Sequence, residues 1–355
     1  GVNKVYKKIK DKKIRKLLLP SGDMVLGGGF THLVLIISDP KLEEPNDQLK
    51  QVPIVVNPRD CVPKDYIRDN IKSNMKIINK NKWIGKYKLH KDTGIIVSGG
   101  PHTDYDELRS VIKENPNSKL MCVKHSYPHL LKENIIPWAC IVLDPRPITG
   151  TSTHGVLRKT LFEKIEPEIK FFIASMTDPS VTKYLQKKNA DIWGWHAFTE
   201  SLRDPEDQKQ GIKNNQIKLN ETLGIPQGAT LITGGTCAAM RSIGMMHTMG
   251  FRDLHLFGFD CCLKEEPTKE MKKETTGADD EEPRPKYFKV GVKNKPYWTT
   301  GELLAMAQDC ERTFNDNHMG IHFTFHGKNT LVADLWELAQ TQETSESYKD
   351  FFNVQ

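Results

Sequence analysis

The chain has 355 residues, of which 37% are hydrophobic and 27% charged, and its 51 basic and 45 acidic residues give a formal net charge of +6. This length is enough for one large domain or two moderate ones, and so balanced a charge gives no argument for nucleic acid as a partner. No apolar stretch is long enough for a membrane span, and the seven cysteines include no Cys-x-x-Cys pair. These features predict a cytoplasmic protein that does not span a membrane.

Residues 1–90 are predicted to form a small N-terminal α/β subdomain that begins with a basic tail. Eight of the first sixteen residues are Lys or Arg, and two apolar runs follow, at residues 33–37 and 52–56. A run of like charge is usually solvated, so we expect an exposed tail; the alternatives are that it contacts an acidic surface, a membrane headgroup or nucleic acid.

Residues 91–355 alternate short apolar runs with segments suited to helices. The runs lie near residues 94–98, 119–123, 139–143, 170–174, 191–196, 229–233, 254–259 and 321–325. Helices are predicted at about 236–249 and 301–317, where apolar residues recur with helical spacing. This alternation predicts a Rossmann-like α/β domain with a mainly parallel sheet and helices on both faces.

Residues 264–285 interrupt this pattern with Lys, Glu, Asp, Thr and Pro and have almost no apolar side chains. Such a composition does not build a packed core, so the segment is predicted to be a mobile charged insertion. It directly follows the loop after the run at 254–259, so it is either an active-site lid or a tolerated surface insertion.

Two glycine turns each follow a predicted strand and precede a predicted helix. The first is Ser98-Gly99-Gly100-Pro101 and the second is Thr233-Gly234-Gly235-Thr236. Glycine lets a ligand approach the backbone, and the first amides of a helix lack partners within the helix, so both turns are candidate phosphate sites. Neither is a complete dinucleotide or P-loop motif, and the glycines alternatively serve only to make a tight turn.

Aspartates end two other apolar runs, Asp144 after 139–143 and Asp260 after 254–259. Ligands of open α/β sheets bind outside the carboxyl ends of the strands, so both glycine turns and both aspartates are expected in one crevice. There each carboxylate either binds Mg²⁺ that bridges phosphates, accepts hydrogen bonds from ribose, or caps a loop.

Histidines near these positions are candidate proton-transfer groups. His154 follows Asp144 and His102 follows the first glycine turn, and either is placed to act as a general acid or base beside a phosphate. His318, His322 and His326 recur every four residues, but the surrounding sequence alternates apolar and polar residues. That alternation favours a strand over a helical zinc site.

The residues around these turns resemble the MptE-like family. The resemblance spans about 94–262 and rests on the first glycine turn, on Ile141 to Pro145, on Gly234 to Thr236, and on Leu256 to Asp260. That family includes archaeal 6-hydroxymethylpterin pyrophosphokinases and motility accessory factors, and its fold is similar to that of bacterial sialyltransferases that use CMP-sugars.

The resemblance implies a transferase that binds a nucleotide phosphate and moves a sugar from a CMP-sugar, or a diphosphate from ATP, onto a hydroxyl of a small molecule or glycan. The resemblance implies catalytic and Mg²⁺-binding roles for Asp144 and Asp260, and the sequence itself adds His154 as a candidate catalytic residue. The resemblance implies nucleotide and phosphate binding by Ser98, Gly99, Gly100, Gly234 and Gly235, and the two turns add Pro101 and Thr236.

This chain has one acid in Leu143-Asp144-Pro145, where the pyrophosphokinase branch has an acidic pair. The difference favours the accessory-factor branch, and a non-catalytic nucleotide- or protein-binding module is the alternative.

Overall fold

The computed structural model describes residues 34–36, 62–85, 87–148, 157–198, 224, 229–232, 234–235, 237–276, 284–292, 295–315 and 320–342. Two predicted site residues, His154 and Thr236, lie outside these ranges, as does the basic tail. All structural statements below concern the described ranges.

The described strands are β1 (Val34–Ile36), β2 (Thr93–Val97), β3 (Lys119–Val123), β4 (Ala139–Val142), β5 (Lys170–Ala174), β6 (Asp191–Ala197), β7 (Leu231–Ile232), β8 (Asp253–Phe257), β9 (Thr275–Thr276), β10 (Arg284–Pro285), β11 (Phe288–Val292), β12 (Lys295–Thr299) and β13 (His322–His326). The described α-helices are α1 (Lys64–Ile77), α2 (Tyr105–Glu114), α3 (Tyr127–Lys132), α4 (Pro179–Lys187), α5 (Ala238–Thr248), α6 (Gly301–Asn315) and α7 (Leu331–Gln342). Short 3₁₀ turns lie at Lys159–Phe162 and Met271–Lys273. All eight predicted strand positions carry a strand.

Eight strands form one parallel sheet in the order β13-β8-β2-β3-β4-β5-β6-β7. From β2 the chain adds each new strand on one side until β7, and it then returns to place β8 on the other side of β2. The direction of growth therefore reverses between β2 and β8. This reversal is the topological switch point, where open α/β sheets bind ligands.

Helices cover both faces of this sheet because its strands are buried on both sides. On one face Ile95 and Val97 share a core with Leu108 of α2 and Leu130 of α3. The opposite face carries α5, α6 and α7, which pack against alternate strand residues such as Ile96. Crossovers of a single hand put helices on opposite faces when the growth direction reverses. The predicted Rossmann-like fold is confirmed.

The described part of residues 1–90 packs against the main domain. Helix α1 contacts α4, and β1 pairs antiparallel with β11. The ring of Trp83 lies on Gly194 in β6, where an added Cβ atom would be 2.7 Å from the ring. These contacts join the predicted subdomain to the sheet.

The predicted charged insertion contains regular structure in its described residues. Thr275 and Thr276 of β9 pair with β10, and the chain then enters an antiparallel sheet ordered β1-β11-β12. Residues 277–283 lie outside the description, and the mobility of the segment stays a prediction.

The histidine repeat lies on a strand, as predicted: His322 and His326 begin and end β13. His318 lies outside the described residues. None of the helices described here has both the length and the apolar character needed to cross a membrane.

Candidate functional site

The first glycine turn is joined by backbone hydrogen bonds to the loop after β8. The amide of Ser98 donates to the carbonyl of Phe257 at 2.8 Å, and that of Gly100 donates to Gly258 at 2.9 Å. Gly258 has a φ of +68°, a conformation that favours glycine. The turn Ser98–Pro101 and the loop Gly258–Asp260 therefore meet at the switch point, as the sequence predicted for these two features.

The two glycines of this turn have different surroundings. A Cβ atom on Gly100 would lie 2.5 Å from Cγ of Asp260 and would also strike the Gly258 carbonyl oxygen. On Gly99 it would find Cβ of His125 at 3.4 Å and a methyl group of Val123 at 4.0 Å. Gly100 is thus required by packing, whereas Gly99 is exposed and a Cβ atom there would make only ordinary contacts.

Asp260 holds the chain that follows the turn. Its side chain is 2% exposed, and its Oδ2 atom accepts a hydrogen bond from the backbone amide of His102 at 2.7 Å. The ring Nδ1 of His102 lies 2.9 Å from the same oxygen. The carboxylate thereby fixes the segment between the turn and α2.

The first amides of α2 already have a partner. The Asp104 side chain accepts hydrogen bonds from the amides of Asp106 and Glu107, both at 3.0 Å. The capping carboxylate and the acidic first turn oppose binding of an anion at this helix start. The phosphate interaction with helix amides expected from the sequence is therefore not supported at α2, and an anion beside Gly99 needs another source of positive charge.

Positive charge is supplied around Asp144, at the ends of β3 and β4. The buried Asp144 carboxylate accepts hydrogen bonds from Nε and Nη2 of Arg146 at 2.9 and 2.8 Å, and Nζ of Lys124 lies 3.1 Å from its Oδ2. We call Asp144, Lys124 and Arg146 the Asp144 cluster. Its formal charge is +1.

The electrostatics of this cluster favour a deprotonated carboxylate. Burial alone raises the pKa of Asp144, but the hydrogen bonds from Arg146 and the charge of Lys124 outweigh burial and lower it to about 2. Burial and then the charge of Lys124 lower the pKa of His125 to about 4; the Asp144 carboxylate opposes this shift, and Arg146 and Arg158 add to it. His125 lies beside Gly99, so the charge of Lys124 acts close to the turn.

The structure does not bring Asp144 and Asp260 together. Their strands, β4 and β8, are separated by β2 and β3, so the loops lie about three strand spacings, or about 14 Å, apart. One Mg²⁺ ion binds its oxygen ligands at about 2.1 Å and cannot bridge that distance. Within the described residues no group of three or more His, Cys, Asp or Glu side chains is placed to hold a metal ion. The two aspartates do not fit a shared Mg²⁺ site.

The second glycine turn approaches the same edge of the sheet from the α5 face. Gly234 has a φ of +130°, and a Cβ atom on Gly235 would strike the Asp309 carboxylate of α6. The fold therefore requires glycine at both positions, independently of any ligand. Burial raises the pKa of Cys237, which precedes α5, to about 12, and Cys261 adds to the effect, so this turn and the Asp260 loop are close.

Lys124 was missed by the sequence analysis. It is 7% exposed and directly follows β3. A signal was present, because a polar Lys-His-Ser segment ends an apolar run there, as Ser98 and Asp144 do elsewhere. The side chain of Ser126 donates to the carbonyl of Val97 at 2.8 Å and so ties the end of β3 to the end of β2.

Comparison with known proteins gives one family match. The family model described as "6-hydroxymethylpterin diphosphokinase MptE-like" matches residues 66–266, which is more than half of the chain. No curated protein matches. Among solved structures, the chain is similar to the MAf glycosyltransferase from Magnetospirillum magneticum AMB-1, with 13% identity and a TM-score of 0.41. That match covers 79% of this chain and 42% of the other, and so distant a likeness does not establish a shared activity.

Proposed function

This chain belongs to the MptE-like family, and from that membership we propose that it is a transferase that binds a nucleotide donor by its phosphate at the turn Ser98–Pro101. The transferred group moves onto a hydroxyl acceptor, either a small molecule or a glycan. The observation that carries the proposal is the exposed backbone of Gly99 at the switch point between β2 and β8. Ligands of open α/β sheets bind at this position.

Two donors fit this proposal. A CMP-linked sugar would lose its sugar to the acceptor oxygen and leave CMP, and ATP would transfer a diphosphate and leave AMP. In both reactions negative charge stays on phosphate oxygens, so catalysis depends on positioned positive charge. The single acid in Leu143-Asp144-Pro145 favours the sugar donor.

The predicted residues contribute to different degrees in this proposal. Gly99 admits the phosphate, Ser98 and Gly100 fix the turn through the loop after β8, and Asp260 fixes the segment that follows. Gly234 and Gly235 approach from the second helix face. Proton transfer by His154, a catalytic role for either aspartate, and phosphate contacts of Pro101 and Thr236 stay predictions.

The experiment is a thermal-shift screen of ATP, GTP, CMP, CDP and CMP-sialic acid, with and without Mg²⁺. A ligand that binds the folded state raises its stability by about 2.7 kcal/mol at one hundred times its Kd. Stabilisation by the cytidine compounds supports sugar transfer, and Mg²⁺-dependent stabilisation by ATP supports diphosphate transfer. In the Gly99→Ala variant the shift should be smaller, because the new methyl group lies against His125, beside the exposed backbone that the phosphate approaches.

The alternative is a non-catalytic module that binds nucleotide or protein. Mass spectrometry of each stabilising donor, incubated with the protein and with 6-hydroxymethylpterin as a trial acceptor, distinguishes the two proposals. Release of CMP or AMP supports the transferase, and binding with no turnover of any donor supports the module. If no nucleotide raises the melting temperature, both nucleotide-binding proposals are contradicted.

A further inference from the structure

We propose that Nε2 of His102 accepts a hydrogen bond from a hydroxyl group of the ligand, and that Asp260 orients His102 for this role instead of binding Mg²⁺. The hydroxyl group belongs either to the ribose of the nucleotide donor or to the acceptor, so the inference deepens the proposed function and rests on it. His102 is a binding residue in this account, and Asp260 is a positioning residue.

The first argument is the way in which the Asp260 carboxylate holds the His102 ring. Its Oδ2 atom accepts a hydrogen bond from the backbone amide of His102 at 2.7 Å and lies 2.9 Å from the ring Nδ1 atom. An ionised carboxylate can only accept hydrogen bonds, so Nδ1 carries the proton in this contact. In a neutral imidazole the other nitrogen, Nε2, then presents its lone pair as an acceptor.

The second argument is accessibility. The side chain of Asp260 is 2% exposed, whereas that of His102 is 21% exposed. Nε2 of His102 forms no hydrogen bond within the described ranges, and it is not one of the buried side-chain atoms that lack a partner there. The ring therefore joins a buried carboxylate to a nitrogen atom that a ligand can reach.

The third argument is position beside the proposed phosphate site. His102 follows Gly100 by two residues, and the Thr103 hydroxyl donates to the Gly100 carbonyl at 3.2 Å, which folds this segment back on the turn. The Asp260 carboxylate also packs against Gly100. The His102 ring and the exposed backbone of Gly99 thus belong to one short segment, so one ligand can contact both.

The fourth argument is the kind of group that this ring can bind. A nitrogen lone pair backed by a carboxylate repels phosphate oxygens and attracts a hydrogen-bond donor, and both proposed substrates carry hydroxyl groups. An imidazole held by a carboxylate also suits a metal ion. However, no three His, Cys, Asp or Glu side chains of the described segments are placed to hold one. The chemistry of the site therefore favours a hydroxyl group.

The test compares compounds that differ by one hydroxyl group, by isothermal titration of the full chain at about pH 8, where an ordinary imidazole is neutral. CMP and its 2′-deoxy and 3′-deoxy forms test the ribose, and 6-hydroxymethylpterin and 6-methylpterin test an acceptor. The wild type should bind the hydroxyl-bearing member of one set about threefold to tenfold more tightly, which is the effect of one neutral hydrogen bond. In His102→Phe this preference should disappear, because the variant keeps an aromatic ring but loses the acceptor.

His129→Phe is the matched control for this variant. His129 is also exposed, but it lies on α3, away from the glycine turn. Its substitution should leave the preference for the hydroxyl-bearing compound as it is in the wild type.

Asp260→Asn tests the positioning role through a signal that a merely structural role would not move. Nitrogen NMR of protein with labelled histidine shows which ring nitrogen carries the proton, and His102→Phe identifies the signal by its loss. The wild-type ring should carry its proton on Nδ1, and in Asp260→Asn the Nε2-protonated form should also appear, with a weaker preference for the hydroxyl-bearing compound. A wild-type ring protonated on Nε2 alone would overturn the inference without the use of a folded variant.

The outcomes also separate this inference from the proposed function. Equal binding within both sets of compounds, or a preference that survives in His102→Phe, would overturn the inference even if nucleotides bind at the turn. A preference within the pterin pair that depends on His102, in a protein that none of the screened nucleotides stabilises, would uphold the hydroxyl site and remove the nucleotide donor. If none of the compounds binds, the inference is overturned as well.

Discussion

Gly99 and Gly100 are neighbours in sequence, but the contacts of each give it a different role. The space beside Gly100 is filled by the Asp260 carboxylate and the Gly258 carbonyl, whereas a Cβ atom on the exposed Gly99 would make only ordinary contacts with His125 and Val123. Gly100 is therefore needed to assemble the turn, and Gly99 is the residue proposed to admit a ligand.

This difference predicts unequal effects of the same substitution. Gly100→Ala should lower the free energy of unfolding by about 1–3 kcal/mol, because the new Cβ atom overpacks against buried groups. Gly99→Ala should change it by no more than about 0.5 kcal/mol, as is usual at an uncrowded surface position. Urea unfolding of both variants provides the measurement. Equal losses of stability would show that Gly99 is packed as tightly as Gly100.

His196 should make the stability of the protein sensitive to pH. It is 1% exposed, its Nδ1 atom lies 2.5 Å from Oγ of Ser175, and its Nε2 atom has no hydrogen-bond partner among the described residues. Burial, followed by the charge of Arg241, lowers its pKa to about 4. The unfolded chain takes up this proton near pH 6.5, so stability is lost as pH falls from about 6.5 to about 4.

The loss expected from His196 is about 3 kcal/mol over that range. His196→Asn does not titrate and can keep a hydrogen bond to Ser175, so its stability should change less between pH 7 and pH 4.5 than that of the wild type. Urea unfolding at the two pH values tests this. An equally steep loss in the variant would assign the pH dependence to other groups.

At the scale of elements, α1 is the support of the loops after β4 and β5. The Asn74 side-chain amide donates to the carbonyls of Ser175 and Thr177 at 2.9 and 2.5 Å, and its oxygen accepts from Thr182 at 2.8 Å. Asn70 likewise donates to the carbonyls of Pro145 and Met176, both at 3.1 Å. Two asparagines, one helical turn apart, thus tie α1 to the loop that carries the Asp144 cluster.

Asn74→Ala should therefore destabilise the protein by about 2–4 kcal/mol, because it leaves buried carbonyl groups without donors. Gln186→Ala is the matched control, since the exposed side-chain amide of Gln186 donates a hydrogen bond to the carbonyl of Ile77 at 3.2 Å. Its effect should stay within about 0.5 kcal/mol. A comparable loss in both variants, measured by urea unfolding, would deny α1 this supporting role.

Prediction from sequence succeeded for the elements and for the parallel sheet with helices on both faces, but it did not give the order of the strands. A parallel strand buried on both faces is a continuous apolar run, which is why β2 and β8 were located within one or two residues. The order of strands depends on packing between distant segments. The sequence therefore did not show that Asp144 and Asp260 lie three strands apart, or that Lys124 contacts Asp144.

At the scale of the whole molecule, the described residues before β2 belong to the main packing unit. Ile67 and Ile71 of α1 are buried against Met176, and Trp83 covers Gly194. A chain beginning at residue 91 would expose these surfaces and lose the hydrogen bonds of Asn70 and Asn74. We predict that it melts at a clearly lower temperature than the full chain, or does not fold cooperatively.

Deletion of residues 1–16 is the control for this truncation, because the sequence predicts a solvated basic tail there. Its melting temperature should equal that of the full chain by circular dichroism, and its affinity for nucleic acid should be unchanged at every salt concentration. A truncation at residue 91 that melts like the full chain would show that the first ninety residues form a separate unit.

The central claim is that a nucleotide phosphate binds beside Gly99 at the carboxyl edge of the sheet. The most direct measurement is a crystal structure of the protein with CDP. We expect a phosphate within hydrogen-bond distance of the Gly99 amide, in the crevice beside β2. A nucleotide bound away from this edge, with no phosphate in contact with the turn Ser98–Pro101, would contradict the account.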